Sequence, residues 1–181
     1  MALIIIIALF LRFISLSANP PSLTWDEASW GYNAYSIGGD GRDEFGKFLP
    51  LTYLESFGDF KPPVYAYLSV VPVKVFGLNE FSTRFASAFF GVLTVALTYF
   101  LVRRIFPRAN PLLAVFSVGL LAISPWHVML SRAAFEANVA TFFIILGVYL
   151  FLESENRKWF LPLSIISFVL SMYTFNTARI V

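Results

Sequence analysis

Cysteine is absent from this chain, and histidine occurs once, as His127. Disulfides and thiolate metal sites are therefore excluded. A complete metal site would need carboxylates from this chain or ligands from elsewhere, so no required metal and no cofactor are expected. Charge is scarce too: 13% of residues are charged, about half the share of an ordinary soluble domain. No basic cluster tracks a nucleic-acid backbone. Internal repeats and low-complexity tracts are also missing.

Apolar and aromatic residues fill the space. The chain is 58% hydrophobic and 18% aromatic, with 21 phenylalanines and a mean hydropathy of +0.74. Long apolar runs recur, which fits an all-α polytopic membrane protein. The aromatics suit lipid-facing surface and interfacial belts. The net charge of +2 hides an uneven distribution. Acids crowd the stretch from Asp26 to Glu80, leaving only Glu136, Glu153 and Glu155 beyond it.

Five runs are read as spanning helices: residues 2–18, 81–105, 111–124, 133–152 and 159–175. The first could pass as a signal peptide, with Ser15-Leu-Ser-Ala18 as its small-residue site. Arg12 inside the run and no basic residue before it argue for a retained helix. Arg12 is then expected near the outer end, reaching for the interface.

Residues 19–80 form a long connection with two shorter helices lying on the membrane surface. Thr24-Trp-Asp-Glu27 has the spacing of a capping box, so a helix should start at Trp25 and end at Gly38-Gly-Asp-Gly41. A loop of mixed charge runs on to Lys61. Pro62-Pro63 then opens the second helix, which ends near Gly77; Pro72 is expected to kink it. Arg103, Arg104 and Arg108 mark one cytoplasmic loop, Arg157 and Lys158 another. The N-terminus is thus expected inside and the acidic 19–80 loop outside. At Val181 the chain is expected to be entering another segment, so residues 1–181 read as the N-terminal region of something longer.

Five local patterns occur in order: Asp26-Glu27 after the first helix, Lys61-Pro-Pro63, Glu80-Phe-Ser-Thr-Arg84, Ser124-Pro-Trp-His-Val-Met-Leu-Ser-Arg132, and Tyr173-Thr-Phe-Asn-Thr-Ala-Arg179. Together they resemble the N-terminal part of the multi-pass C-type glycosyltransferases that use polyprenyl-phosphate sugars, such as the protein O-mannosyltransferases and lipid A aminoarabinose transferases. The resemblance covers essentially the whole chain. It implies transfer of a sugar from a polyprenyl-phosphate donor to a protein, lipid or glycan acceptor outside a plasma membrane, and that membrane is expected to be a prokaryote's.

The resemblance makes Asp26 the catalytic base, accepting the acceptor's proton as it attacks the anomeric carbon with inversion. One carboxylate suffices, because phosphate leaves without protonation. The plainer reading is an acid favoured in a first helical turn. Glu27 is either a second catalytic acid or the cap of its helix, and the box favours the cap. Lys61 is implied to hold the lipid phosphate, or else reaches for headgroups. Arg84 and Arg132 could neutralise the same phosphate; Arg132 could instead pair with Glu136 four residues on. Tyr32, with Trp25, Trp30 and Tyr35, could stack on sugars or form a belt. Trp126-His127 is expected in an interfacial girdle. Arg179 matches the family pattern. A non-enzymatic lipid-binding or transport protein remains the alternative, as does a structural subunit in which Asp26 and Lys61 simply pair.

Overall fold

The fold is organised by its longest helix. In the computed structural model, which describes residues 1–179, Glu80–Ile105 forms a single 26-residue helix. At 1.5 Å per residue this is about 39 Å long, more than the hydrocarbon thickness of a bilayer. Chain order gives α1 Ala2–Phe13, α2 Trp25–Asp40, strands β1 Leu54–Ser56 and β2 Asp59–Lys61, and α3 Val64–Phe76. The long helix is α4, followed by α5 Pro111–Ile123, α6 Pro125–Arg132, α7 Glu136–Glu153 and α8 Phe160–Met172. A short 3₁₀ turn, Asn176–Arg179, closes the described chain. Helix α4 packs against α1, α2, α3, α5, α6 and α7, and α8 packs on α7.

Local chemistry explains the boundaries. The Thr24 hydroxyl accepts from the Glu27 amide while the Glu27 carboxylate accepts from the Thr24 amide, so the expected capping box is present. Gly41 ends α2 at φ +77°, a left-handed conformation that glycine adopts without strain. Asn79 and Ser82 build a second box at the start of α4. Helix α3 continues through Pro72 to Phe76.

Only α4 and α7 are individually long and apolar enough to cross a membrane among the described residues. Helices α5 and α6 would together make a third crossing, bent by 54° at Ser124. Pro125 has no amide proton for the ladder, which accounts for the break. Helices α1 and α8 are apolar but have 12 and 13 residues, about 18–20 Å. The architecture is mostly helical, with one departure from the all-α reading. The loop before Lys61 holds an antiparallel hairpin pairing Leu54 with Lys61, Glu55 with Phe60 and Ser56 with Asp59. Its tip, Phe57-Gly58, has φ of +52° and +76°, which matches the twist of a tight hairpin.

Two other expectations are corrected. Arg12 does not reach an interface: it is fully buried, donating from Nη1 to the carbonyls of Ala8 and Ala122 at 3.1 Å each. Ala122 lies in the last turn of α5, where helix carbonyls lack an intrahelical partner, so the guanidinium serves the break. Its Nη2 lies 2.6 Å from Nδ1 of His127, which accepts because arginine can only donate. His127 thus turns inward while Trp126 stays exposed. Close approach at this point depends on Gly91 of α4: a Cβ there would sit 2.5 Å from Ser131 Cβ.

Candidate functional site

The N-terminal ends of α2, α4 and α7 meet beneath the hairpin. Asp26 and Glu27 are adjacent on α2, and side chains of adjacent helical residues diverge by about 100°. They consequently face different partners. Glu27 turns inward and is 2% exposed. Its Oε1 accepts from Arg84 Nε at 2.8 Å and from the Ala134 amide at 3.0 Å. Its Oε2 accepts from Arg84 Nη2 at 3.2 Å and from the Thr24 amide at 3.0 Å. Burial alone would push this carboxyl up. The hydrogen bonds from Arg84, Thr24 and Ala134 and the Arg84 charge outweigh it and hold the group below the ordinary carboxylate range.

Arg84 is equally enclosed. Besides Glu27 it donates to the carbonyls of Leu16 at 3.1 Å, Pro20 at 2.8 Å and Ser22 at 2.5 Å. All five guanidinium N–H groups are thereby taken, leaving no donor for a phosphate. Arg132 does related work at the end of α1, donating to the carbonyls of Leu11, Ile14, Ser15 and Asn19. The intrahelical Arg132–Glu136 pair does not form, because α6 ends at Arg132 and an extended turn separates it from α7. Both arginines hold the α1–α2 connection, and that connection delivers Asp26.

Asp26 turns the other way. Its side chain is 48% exposed and pairs with Lys61, whose side chain is only 8% exposed. The sequence separates them by 35 residues; the hairpin brings them together. Lys61 also forms part of the wall of a cleft of about 480 Å3 with Thr52, Tyr53, Phe60, Pro62 and Asn176. The fifth sequence motif reaches this place: the Val64 amide donates to the Tyr173 carbonyl, and Asn176 contacts the Phe60 carbonyl. The side chain of Arg179 lies outside the described residues. Tyr32 is not part of this cluster. It lines a separate groove of about 410 Å3 with Leu23, Ala28, Gly31, Leu78, Asn79, Glu80 and Thr83.

One acid at the site was not singled out from sequence. Glu136, the first residue of α7, lies within charge range of Lys61 and Asp26 and next to the Trp30 indole. A lone acid opening an apolar helix was the available signal, masked by the supposed pairing with Arg132. Among the described residues, no three histidine or acidic side chains cluster as metal ligands.

The site lies at one end of α4. At the other end Arg104 pairs with Glu153 at 3.3 Å and Glu155 at 2.9 Å, close to Arg103 and the α7–α8 turn. Arg84 and Arg104 are 20 residues apart on one helix, about 30 Å, the hydrocarbon thickness of a bilayer.

Residues 2–174 match the family model described as dolichyl-phosphate-mannose-protein mannosyltransferase. The chain belongs to this family. Two uncharacterised proteins of Aquifex aeolicus (strain VF5) are similar. One is 34% identical over 158 residues, spanning 86% of this chain and 30% of the relative. The other is 33% identical over 106 residues, spanning 59% and 25%. The fold is similar to the crystal structure of ArnT from Cupriavidus metallidurans in the apo state, with a TM-score of 0.74 and 19% identity, over 96% of this chain and 32% of that one. The chain thus spans about a third or less of each of these relatives.

Proposed function

We propose that the protein is a membrane glycosyltransferase that moves a sugar, hexosyl or pentosyl, from a polyprenyl-phosphate donor to an acceptor outside the membrane. Family membership supports the class of reaction. The observation that carries the assignment of residues is a half-exposed Asp26 carboxylate held against a buried Lys61 ammonium.

In this reading the acceptor hydroxyl attacks the anomeric carbon and gives its proton to Asp26. The new carbon–oxygen bond forms as the bond to the phosphate breaks, and the electron pair leaves with the polyprenyl phosphate. Attack opposite the leaving group inverts the configuration. Lys61 neutralises the phosphate charge, a charge-assisted contact stronger than a neutral hydrogen bond. The ion pair opens when the donor binds: phosphate takes over Lys61 and releases Asp26. Glu27, Arg84 and Arg132 act as scaffold rather than as the phosphate and proton-handling groups. Arg103, Arg104, Arg108, Arg157 and Lys158 face the cytoplasm in this orientation, and the site faces out of a plasma membrane.

Sugar transfer by the full-length membrane protein from radiolabelled polyprenyl-phosphate sugars tests this. Asp26→Asn should cut transfer by about 100-fold or more with insertion intact, and a fully active Asp26→Asn protein rules the mechanism out. The ion pair itself also suits a purely structural contact. That second reading requires that charge-neutral residues at both positions leave transfer unaffected.

A further inference from the structure

Lys61 is held from a third direction. Its Nζ stands 5.3 Å from the ring centre of Trp30, within cation–π range. Trp30 lies one helical turn beyond Asp26 on α2, so the two share a face. It is completely buried, and its ring contacts Tyr65 with centroids 5.4 Å apart at 51°. Tyr65 is itself fixed by donating to the Thr83 carbonyl at 3.0 Å. The indole thus has no room to turn. Across the hairpin the register partner of Lys61 is the buried Leu54, so the two side chains share one face of the hairpin. The indole N–H lies next to Glu136 yet completes no hydrogen bond, although it is buried.

Asp26 pairs with the Lys61 ammonium, and Glu136 lies within charge range of it. A lysine side chain is a flexible four-carbon stem, and without a further constraint it could leave Asp26. The aromatic face opposes that motion, because the attraction is strongest over the ring and is larger where water is excluded.

We infer that Trp30 is a positioning residue that fixes the Lys61 ammonium beside Asp26, and so sets the affinity for the donor's phosphate without touching substrate. This rests on Lys61 being the phosphate ligand. A bulky buried indole serves packing as well, and truncation would confound the two roles. The test therefore uses isosteric replacements: tryptophans carrying one to four ring fluorines, introduced at position 30 of the full-length protein. Fluorine withdraws ring electron density and weakens the cation–π attraction with little change of shape.

Donor KM should rise stepwise with fluorination, by about tenfold across the series, while kcat stays within about twofold. Trp30→Phe, which keeps an aromatic face, should fall within the series. A flat KM across the series overturns the inference, as does a loss confined to kcat. Lys61→Met, measured alongside, separates the two levels of argument. If it leaves donor KM unchanged, the phosphate role of Lys61 fails and this inference fails with it. If Lys61→Met raises KM but the fluorinated series is flat, only the role of Trp30 fails.

Discussion

Two acid–base pairs stand side by side at the start of α2, and they differ in almost every physical respect. Glu27–Arg84 is sealed from solvent, with side-chain exposures of 2% and 0%. All of its donors are used, and the pair is extended by five backbone groups, of Leu16, Pro20, Ser22, Thr24 and Ala134. Asp26–Lys61 is buried on one side only, and the carboxylate keeps half its surface open. A saturated pair has nothing left to offer a substrate, whereas an open one can exchange partners. Adjacent residues of identical charge are thus divided between a sealed clamp and an open pair by the 100° turn of a helix.

The sharpest way to break this contrast is Asp26→Asn. The substitution keeps shape and removes the base. In the full-length protein transfer should drop about 100- to 10,000-fold, the range typical of losing a general base. Thermal unfolding in detergent should move little, because the group is half in water and the amide oxygen of Asn can still accept from Lys61. A large stability loss without an activity-specific loss would make the two pairs alike and defeat the distinction.

Next in size is Arg84→Met, which strands Glu27 as an uncompensated buried charge. The expected loss is about 3–5 kcal/mol, seen as reduced yield and a lower unfolding temperature. Acid sensitivity gives an independent reading of the same pair. Glu27 is held below its ordinary value of 4.5 in the folded protein. Its contribution is therefore complete above that value and is lost only as pH falls through the lower folded value. Unfolding followed against pH should show this loss at the acid end, and Glu27→Gln should flatten it.

Much of the fold around these pairs was readable in the chain, but unevenly. The capping box predicted the start of α2 because its two bonds are local and its spacing is fixed. Helix α4 was legible for the same reason: a long apolar run with arginines at one end. What escaped were arrangements decided by distant partners. Arg12 looked interfacial because sequence shows an arginine in an apolar run but not the broken α5 end it serves. Arg132 seemed paired to Glu136 because a four-residue spacing implies one continuous helix, and the turn at Ala133 removes that premise. Glu136 was then overlooked as a neighbour of Lys61. The hairpin was missed because its strands have three residues each, too few for an alternating pattern to declare itself.

A smaller effect is expected at Lys61. Lys61→Met should raise donor KM by about 10- to 100-fold, the loss of one charge-assisted contact. Stability should fall by no more than about 1 kcal/mol, because the partner carboxylate remains solvated. Donor saturation curves and detergent unfolding, run on the same preparation, check both halves. A stability loss comparable to that of Arg84→Met would show that the open pair is a second structural clamp.

The smallest expected effect decides what Glu27 is for. Thr24→Ala deletes one half of the capping box, the hydroxyl that accepts from the Glu27 amide at 3.3 Å. Helix caps of this kind contribute about 1 kcal/mol. Glu27 would still be held by Arg84 and by the Ala134 amide, so activity should persist and unfolding should shift only slightly. Unfolding measurements that put Thr24→Ala level with Arg84→Met would mean that the local cap, and not the long-range clamp to α4 and α7, keeps Glu27 in place. Asp26 would then owe its position to the first turn of its own helix. A much smaller loss for Thr24→Ala would instead leave the α4 and α7 contacts as what orients the base.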